Sequence, residues 1–250
     1  MSINYAYKQS DFEQISKYIA NLKENNRVYL DIGCSNAFNM SAEMIDDSAL
    51  TVLIEPDIKS RENVAKENVT LLNQYATPQN IEEIIKEHIG SKDITFLDLD
   101  IDSYDFELLQ AILQVKKPYM IMAETNEKIP YPVEFYVCYE HSWDVSHFFG
   151  MSFAAFCALV QEDYDVVALN GNNAFAIRKD MNNTPSQSSH SDLYESGYKN
   201  PRLNGQLSMF DYNSNVDHWL GLEPEEAIEQ INQFFQSYQG KYRIGIDICD

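Results

Sequence analysis

From Arg27 to Asn126, short apolar runs alternate with polar segments that carry apolar residues at helical spacing, and few architectures accept that alternation. The runs are RVYLDIG, LTVLIEPD, VTLLNQY, DITFLDLD and PYMIMAETN. A strand that is apolar at successive positions must be covered on both faces, the condition met by a parallel sheet between two helical layers. PQNIEEIIKEHIG and YDFELLQAIL repeat apolar residues every three or four positions and read as covering helices, with Gly90 placed to stop the first. SFAAFCALVQED reads as another helix. YDVVALNGNNAFAIRKD reads as two strands about an NGNN turn, where Asn and Gly accept positive φ. The fold class predicted is α/β: a parallel sheet that finishes in an antiparallel hairpin.

A chain of 250 residues can bury one sizeable core. Phe12, Ile15, Ile19 and Leu22 recur at helical spacing, so an amphipathic helix is expected ahead of the first strand. Residues 1–179 are expected to form the domain. Residues 180–250 read as a polar extension and a closing helix, EPEEAIEQINQFFQSY, that can serve as a lid. The net charge of −21 repels phosphate backbones and anionic membranes, so the expected partner is a small molecule rather than nucleic acid or membrane. Apolar runs such as FAAFCALV are too short to span a bilayer. The first residues lack a basic, apolar leader and the four cysteines lie far apart, so a cytoplasmic protein with reduced thiols is expected. A homo-oligomer is left open.

Ligands of open parallel sheets bind beyond the carboxyl ends of the strands. The first strand runs into LDIGCSNAFN, which offers Asp31, Gly33 for a tight turn, and the small residues Ser35 and Ala37. The second ends at Glu55, at a spacing from Gly33 suited to a carboxylate that accepts ribose hydroxyls. The plainer alternative makes Gly33 a turn and Glu55 a helix cap. GCSNAF has one glycine where a pyrophosphate-binding turn has three, so a two-phosphate cofactor fits poorly.

VYLDIGCSNA, VLIEPD, ITFLDLD and the terminal hairpin together resemble the successive motifs of class I S-adenosylmethionine-dependent methyltransferases over about residues 25–179. LDIDSYDFELLQAI and MIMAETNEKIP look most like the FkbM-type branch, small-molecule O-methyltransferases. The resemblance implies a Rossmann-like sheet of seven strands in the order 3-2-1-4-5-7-6, the last antiparallel, with S-adenosylmethionine as cofactor. It implies that Asp31, Gly33 and Ser35 line the methionine end, Glu55 the ribose and Tyr75 and Ala76 the adenine, with Asp98 or Asp100 beside the methyl. Ala37 and Ser103 stand where the family patterns have glycine. The activity implied is O-methylation of a small hydroxylated metabolite, a sugar or natural product. The rival is a non-catalytic protein-interaction module on the same fold.

In TFLDLDIDSYDFELL, three aspartates on one face of a strand cannot all enter a covered sheet, since each unpaired buried carboxylate costs several kcal/mol. The strand must end near Asp98 or Asp100. Asp100 and Asp102 then reach the crevice, where three uses stay open: an acceptor for the cofactor's ammonium, a general base, or hard ligands for Mg²⁺ or another divalent cation. AETNE offers Glu124, Asn126 and Glu127 for a metal set of Asp100, Asp102, Glu124 and Asn126, a layout similar to metal-dependent O-methyltransferases; otherwise the extra acids are helix N-terminal charges, with Asp102 or Ser103 as a cap and Asp105 in the first turn. The aromatic segment that follows suits an acceptor pocket walled by Trp143, Phe148 and Phe149, or ordinary core. His141 or His147 within it, with Asp100, are the candidate catalytic groups.

Overall fold

The computed structural model describes residues 27–34, 49–57, 67–139, 146–182 and 188–249. The helix expected before residue 27, Ser35, Ala37, His141 and Trp143 lie outside them. A seven-stranded mixed sheet has the order β3-β2-β1-β4-β5-β8-β7. This is the methyltransferase-type Rossmann-like order expected above, with the hairpin strands renumbered because β6 lies elsewhere. The strands are β1 Val28–Ile32, β2 Leu50–Ile54, β3 Val69–Leu72, β4 Phe96–Leu99, β5 Met120–Glu124, β7 Tyr164–Asn170 and β8 Asn173–Arg178. By density of contacts the chain divides into two compact units: one reaches to Ile101 and includes Leu108–Ala123, the other comprises Asp102–Glu107 and the chain from Glu124 onward.

In the first unit, β1 pairs in parallel with β2 and β4, β3 adds beyond β2, and β5 adds beyond β4. All five β1 residues are buried, as a central strand requires. Helix α1, Ile81–His88, buries Ile81, Ile84 and Ile85 and turns Glu82 and Lys86 outward. Thr77 and Asn80 exchange backbone-to-side-chain bonds before it, and Gly90, at φ +66°, donates its N–H to Ile85 O at 2.9 Å to end it, as its sequence position predicts. Helix α2, Asp105–Val115, follows the aspartate loop.

In the second unit, the β7–β8 hairpin turns through Gly171 and Asn172. Helix α3, Phe153–Val160, is almost wholly buried and capped by Ser152, whose Oγ accepts from Ala155 N at 3.1 Å and from Phe135 N at 3.0 Å. Two strands have no counterpart in the sequence reading: β6, Glu134–Val137, pairs antiparallel with β9, Tyr242–Gly245. Their inner face joins Phe148, Trp219 and Phe235 in an apolar cluster, completed by Ala227 and Ile231 of helix α4, Pro224–Phe234.

The polar extension has an aromatic interior of its own. Successive helical turns cover His190–Tyr194, Glu195–Lys199 and Asn200–Leu203, opened by a Ser189–Asp192 capping box. Tyr194, Tyr198 and Phe210 are buried. A Cβ on Gly197 would sit 2.1 Å from Leu169 O, so only glycine lets this segment lie on β7. Arg202, 8% exposed, closes the following loop by bonding Asp211 Oδ1 at 2.7 Å and both carboxylate oxygens of Asp217 at 3.0 and 2.7 Å.

Candidate functional site

Within the first unit, chemistry gathers at the carboxyl ends of β1, β2 and β4. Asp31 and Asp98 are register partners on adjacent strands, 2% and 4% exposed, so two acids face one buried environment. Asp98 is thus part of β4, which ends at Leu99, and Asp100 follows on the loop. Gly33 has φ +92°, and a Cβ there would fall 1.6 Å from Asp100 O. Backbone meets backbone at that point, where only glycine fits. Gly33 N also donates to Ile54 O, and Asp100 N to Ile32 O, both at 2.9 Å. These bonds hold the turn after β1 between the ends of β2 and β4.

Glu55 follows β2 and accepts from Asp57 N through Oε1 at 2.9 Å. The charges acting on the buried Cys34 thiol are all negative: after desolvation, which is the largest cause, Asp31, Glu55 and Asp98 push its pKa upward. Asp31 and Asp98 are the adjacent pair, and Glu55 follows Ile54, whose carbonyl accepts from Gly33 N. Ala76 is buried after β3, while Tyr75 is 69% exposed and its carbonyl accepts from Asn80 Nδ2 at 2.9 Å.

Within the second unit, Asp102 and Glu124 bring carboxylate oxygens within 4.8 Å of one another. Asp102 holds φ +57°, a conformation that costs a non-glycine residue about 1 kcal/mol or more and concentrates at functional positions. Burial raises its carboxyl pKa, against a hydrogen bond with Glu124 and the charge of Lys128, which lower it. Glu124 Oε1 accepts from Asn172 Nδ2, so the hairpin turn anchors this acid.

Lys128 escaped the sequence reading. It is 1% exposed, its Nζ lies 4.1 Å from the centre of the Phe149 ring, and it donates to Asn126 Oδ1 at 2.9 Å. Burial lowers its pKa, a shift that Glu127, Glu124 and Asp102 oppose. Glu127, 0% exposed, sits 3.7 Å from Lys128 Nζ and accepts from Asn213 Nδ2 and Tyr212 Oη through the same oxygen, Oε1. Tyr194 Oη donates to the Glu127 carbonyl at 2.8 Å. Three residues of the polar extension thus converge on one buried acid. Burial of a charged side chain is a tertiary property, and ETNEK by itself carries no sign of it.

Asn126, expected among metal ligands, is fully buried with its amide engaged: Nδ2 donates to His147 O at 3.0 Å and Phe149 O at 2.8 Å, and Oδ1 accepts from Lys128. It clamps the backbone that carries His147. His147 is half-buried, with its ring centroid 5.8 Å from that of Phe234 and 6.3 Å from that of Tyr212. Burial, then the Lys128 charge, depress its pKa, against the side-chain amides of Asn215 and Asn213 and the charge of Glu127. At neutral pH the imidazole is therefore uncharged and able to take a proton. Phe148 and Phe149, read as pocket wall or as ordinary core, are both buried as core: Phe148 stacks on Tyr238 at 4.1 Å, and Phe149 offers its face to Lys128.

No helix among the described residues is long and apolar enough to cross a membrane. No family model matches the chain, and no curated protein matches it. Solved structures with a similar chain path include a 1,6-didemethyltoxoflavin-N1-methyltransferase of Burkholderia thailandensis with bound 1,6-didemethyltoxoflavin and S-adenosylhomocysteine. That likeness has 11% identity and TM-score 0.47, covering 70% of this chain and 79% of that one. A putative caffeoyl-CoA O-methyltransferase of Staphylococcus aureus has 13% identity and TM-score 0.47, over 71% and 85%. The MycE methyltransferase of the mycinamycin pathway, in complex with Mg, S-adenosylhomocysteine and mycinamycin VI, has 9% identity and TM-score 0.42, over 74% and 51%. All three carry methyltransferase names, and two of them hold S-adenosylhomocysteine. At these identities the likeness is one of chain path, and the functional reading stands on the residues.

Proposed function

We propose that this chain is an S-adenosylmethionine-dependent methyltransferase acting on a hydroxyl of a small acceptor. The observation that carries the reading is the buried pair Asp31 and Asp98 on adjacent strands beside the Gly33 turn, whose N–H bonds Ile54 O next to Glu55. Acidic side chains at three strand ends suit a cofactor that presents a cation and a ribose diol better than one that presents phosphates. When bound, S-adenosylmethionine supplies a methyl group on a positively charged sulfur, open to in-line displacement. In this reading Asp31 accepts from the ammonium, Glu55 accepts from the ribose hydroxyls, Asp98 sets the negative potential around the sulfonium, and Ala76 leaves room for the adenine.

On the acceptor side, His147 is the proposed base. Its depressed pKa keeps the imidazole neutral, and the Asn126 clamp on its carbonyl fixes the backbone from which the ring projects. Asp102 and Glu124 provide hard oxygen atoms at a separation that fits a divalent ion. A divalent ion bound there would lower the pKa of an acceptor hydroxyl. Asn126 is left out of that set because its amide is engaged elsewhere. The charge of Lys128 opposes the burial that raises the Asp102 carboxyl pKa.

Transfer of labelled methyl groups to a panel of hydroxylated acceptors tests the proposal. Label should appear in product with the native chain and fall by about 10²-fold or more with His147→Gln, the usual contribution of a general base. Label transferred equally by His147→Gln would remove the base assignment. No label with any acceptor, and no binding of S-adenosylhomocysteine, would overturn the function.

A further inference from the structure

A cavity of about 210 Å³ opens in the second unit, and none of its lining residues serves the proposed methyl transfer. Helix α3 supplies its floor: Ala154, Cys157 and Ala158 recur at helical spacing, with Gln161 one turn on, and the small side chains leave the space unfilled. Tyr131, followed by Pro132, and His190 form walls. Both rings rest on Phe153, with centroids 6.4 and 6.5 Å from its own, and Phe153 is wholly buried, so the walls are anchored on core.

Two carboxylates complete the lining, Glu134 from the start of β6 and Asp247 from the turn after β9. Glu134 is only 6% exposed, and its Oε2 accepts from Ile248 N at 2.7 Å and Cys249 N at 2.9 Å. These bonds hold the carboxylate in one orientation, and its other oxygen, Oε1, accepts from no group among the described residues. A carboxylate oxygen held on a cavity wall without a donor is an unmet demand for one. The side chains of Tyr131, His190 and Asp247 likewise make no hydrogen bond or ion pair among the described residues. Burial lowers the pKa of His190, so at neutral pH its imidazole is uncharged and carries a lone pair. Burial raises the pKa of Tyr131, and Cys157, Glu134 and Asp247 act in the same direction, so both acids bear on one phenol hydroxyl.

No lysine or arginine lines the cavity, so an anion would meet two carboxylates without a counter-charge. A bare metal ion needs several ligand atoms drawn together, and Glu134, Asp247, His190 and Cys157 bring no three within 4.8 Å of one another. A neutral alcohol or sugar supplies donors but leaves both acids uncompensated. An alkylammonium group supplies three N–H donors and the compensating charge, spread over a spacing that a metal ion does not bridge. We propose that this cavity binds a primary alkylammonium group, which donates to Glu134 Oε1 and Tyr131 Oη and lies beside Asp247, its carbons resting on Ala154 and Ala158. The volume, below the roughly 300–1,000 Å³ of drug-sized sites, restricts the guest to a short amine.

The test is a backbone amide NMR titration of the native chain at neutral pH with methylamine, ethanolamine, putrescine and Nα-acetyl-lysine amide, alongside tetramethylammonium and acetate. At least one primary amine should shift resonances of residues 131–134, 154–161 and 245–249 with a Kd on the order of millimolar. Tetramethylammonium, which has the charge without N–H donors, and acetate should bind at least about tenfold more weakly. Glu134→Gln should weaken binding about tenfold or more, and so should Asp247→Asn, an exposed change at a φ of +54° that asparagine also accepts. Should Glu134→Gln disturb the fold, Asp247→Asn and Tyr131→Phe decide. No shift with any primary amine, shifts elsewhere only, tetramethylammonium or acetate binding as tightly as the best amine, or undiminished binding by both Asp247→Asn and Tyr131→Phe would overturn the proposal. Tighter binding of the lysine derivative than of the free amines would support the site with a protein side chain as the source of the ammonium, and the reverse order would support it with a free amine. The titration uses no cofactor, so its outcome is independent of the methyltransferase reading.

Discussion

Glu127 and Lys128, consecutive in sequence, carry opposite charges 3.7 Å apart with exposures of 0% and 1%. Water reaches neither, so each depends on the other and on a short list of fixed dipoles: Asn126 for the ammonium, Asn213 and Tyr212 for the carboxylate. Removing one partner from such a pair costs more than removing both.

Lys128→Met should therefore destabilise the fold by about 3–5 kcal/mol in urea unfolding, and the double variant Lys128→Met with Glu127→Gln should recover a substantial part of that loss. Additive losses in the double-mutant cycle would mean the two charges are stabilised independently.

Gly33→Ala combines a φ of +92° with a new Cβ 1.6 Å from Asp100 O. The backbone of the aspartate loop must move to admit it, at an expected cost of about 2–4 kcal/mol. Binding of S-adenosylhomocysteine should be lost in parallel. Native-like melting and affinity in this variant would show that the turn after β1 is not packed on the β4 loop.

Two histidines should make the protein sensitive to mild acid. Burial lowers the pKa of His190, and burial with the Lys128 charge lowers that of His147. Each takes up its proton more readily in the unfolded chain, so the stability it contributes is complete above the unfolded value of about 6.5 and is lost as pH falls through the lowered native value. Melting temperatures measured from pH 8 to pH 5 should decline on the acid side, and His147→Gln should flatten the decline. A profile unchanged by that substitution would assign the acid sensitivity elsewhere.

Divalent cations should raise the melting temperature through Asp102 and Glu124. A thermal-shift series with Mg²⁺, Mn²⁺ and Ca²⁺ after EDTA treatment should show stabilisation that saturates with concentration, and Asp102→Asn with Glu124→Gln should remove it. A response that persists in the double variant would deny those carboxylates a metal role.

The sheet was legible because parallel strands covered on both faces must be apolar in succession, and VYLDI, LTVLI and PYMIMAE state that directly. The division of TFLDLDIDSYDFELL was legible too: like charges cannot share a covered strand, and the chain leaves β4 at Leu99, takes left-handed geometry at Asp102 and starts α2 at Asp105. Strands β6 and β9 were not, since EFYV lies in an aromatic stretch without alternation and YRIG is four residues long, and each exists only by pairing with the other. Lys128 and the Asn126 clamp were hidden for a related reason: in ETNEK every side chain looks solvent-facing until residues 147–149, about twenty positions away, close over it.

The cofactor assignment is the centre of the account, and calorimetry with S-adenosylhomocysteine tests it most directly. The native chain should bind with a Kd in about the micromolar range, and Glu55→Ala, which removes the proposed ribose acceptor, should weaken binding by about tenfold or more. Absence of binding by the folded native chain, or the same affinity after Glu55→Ala, would contradict the account.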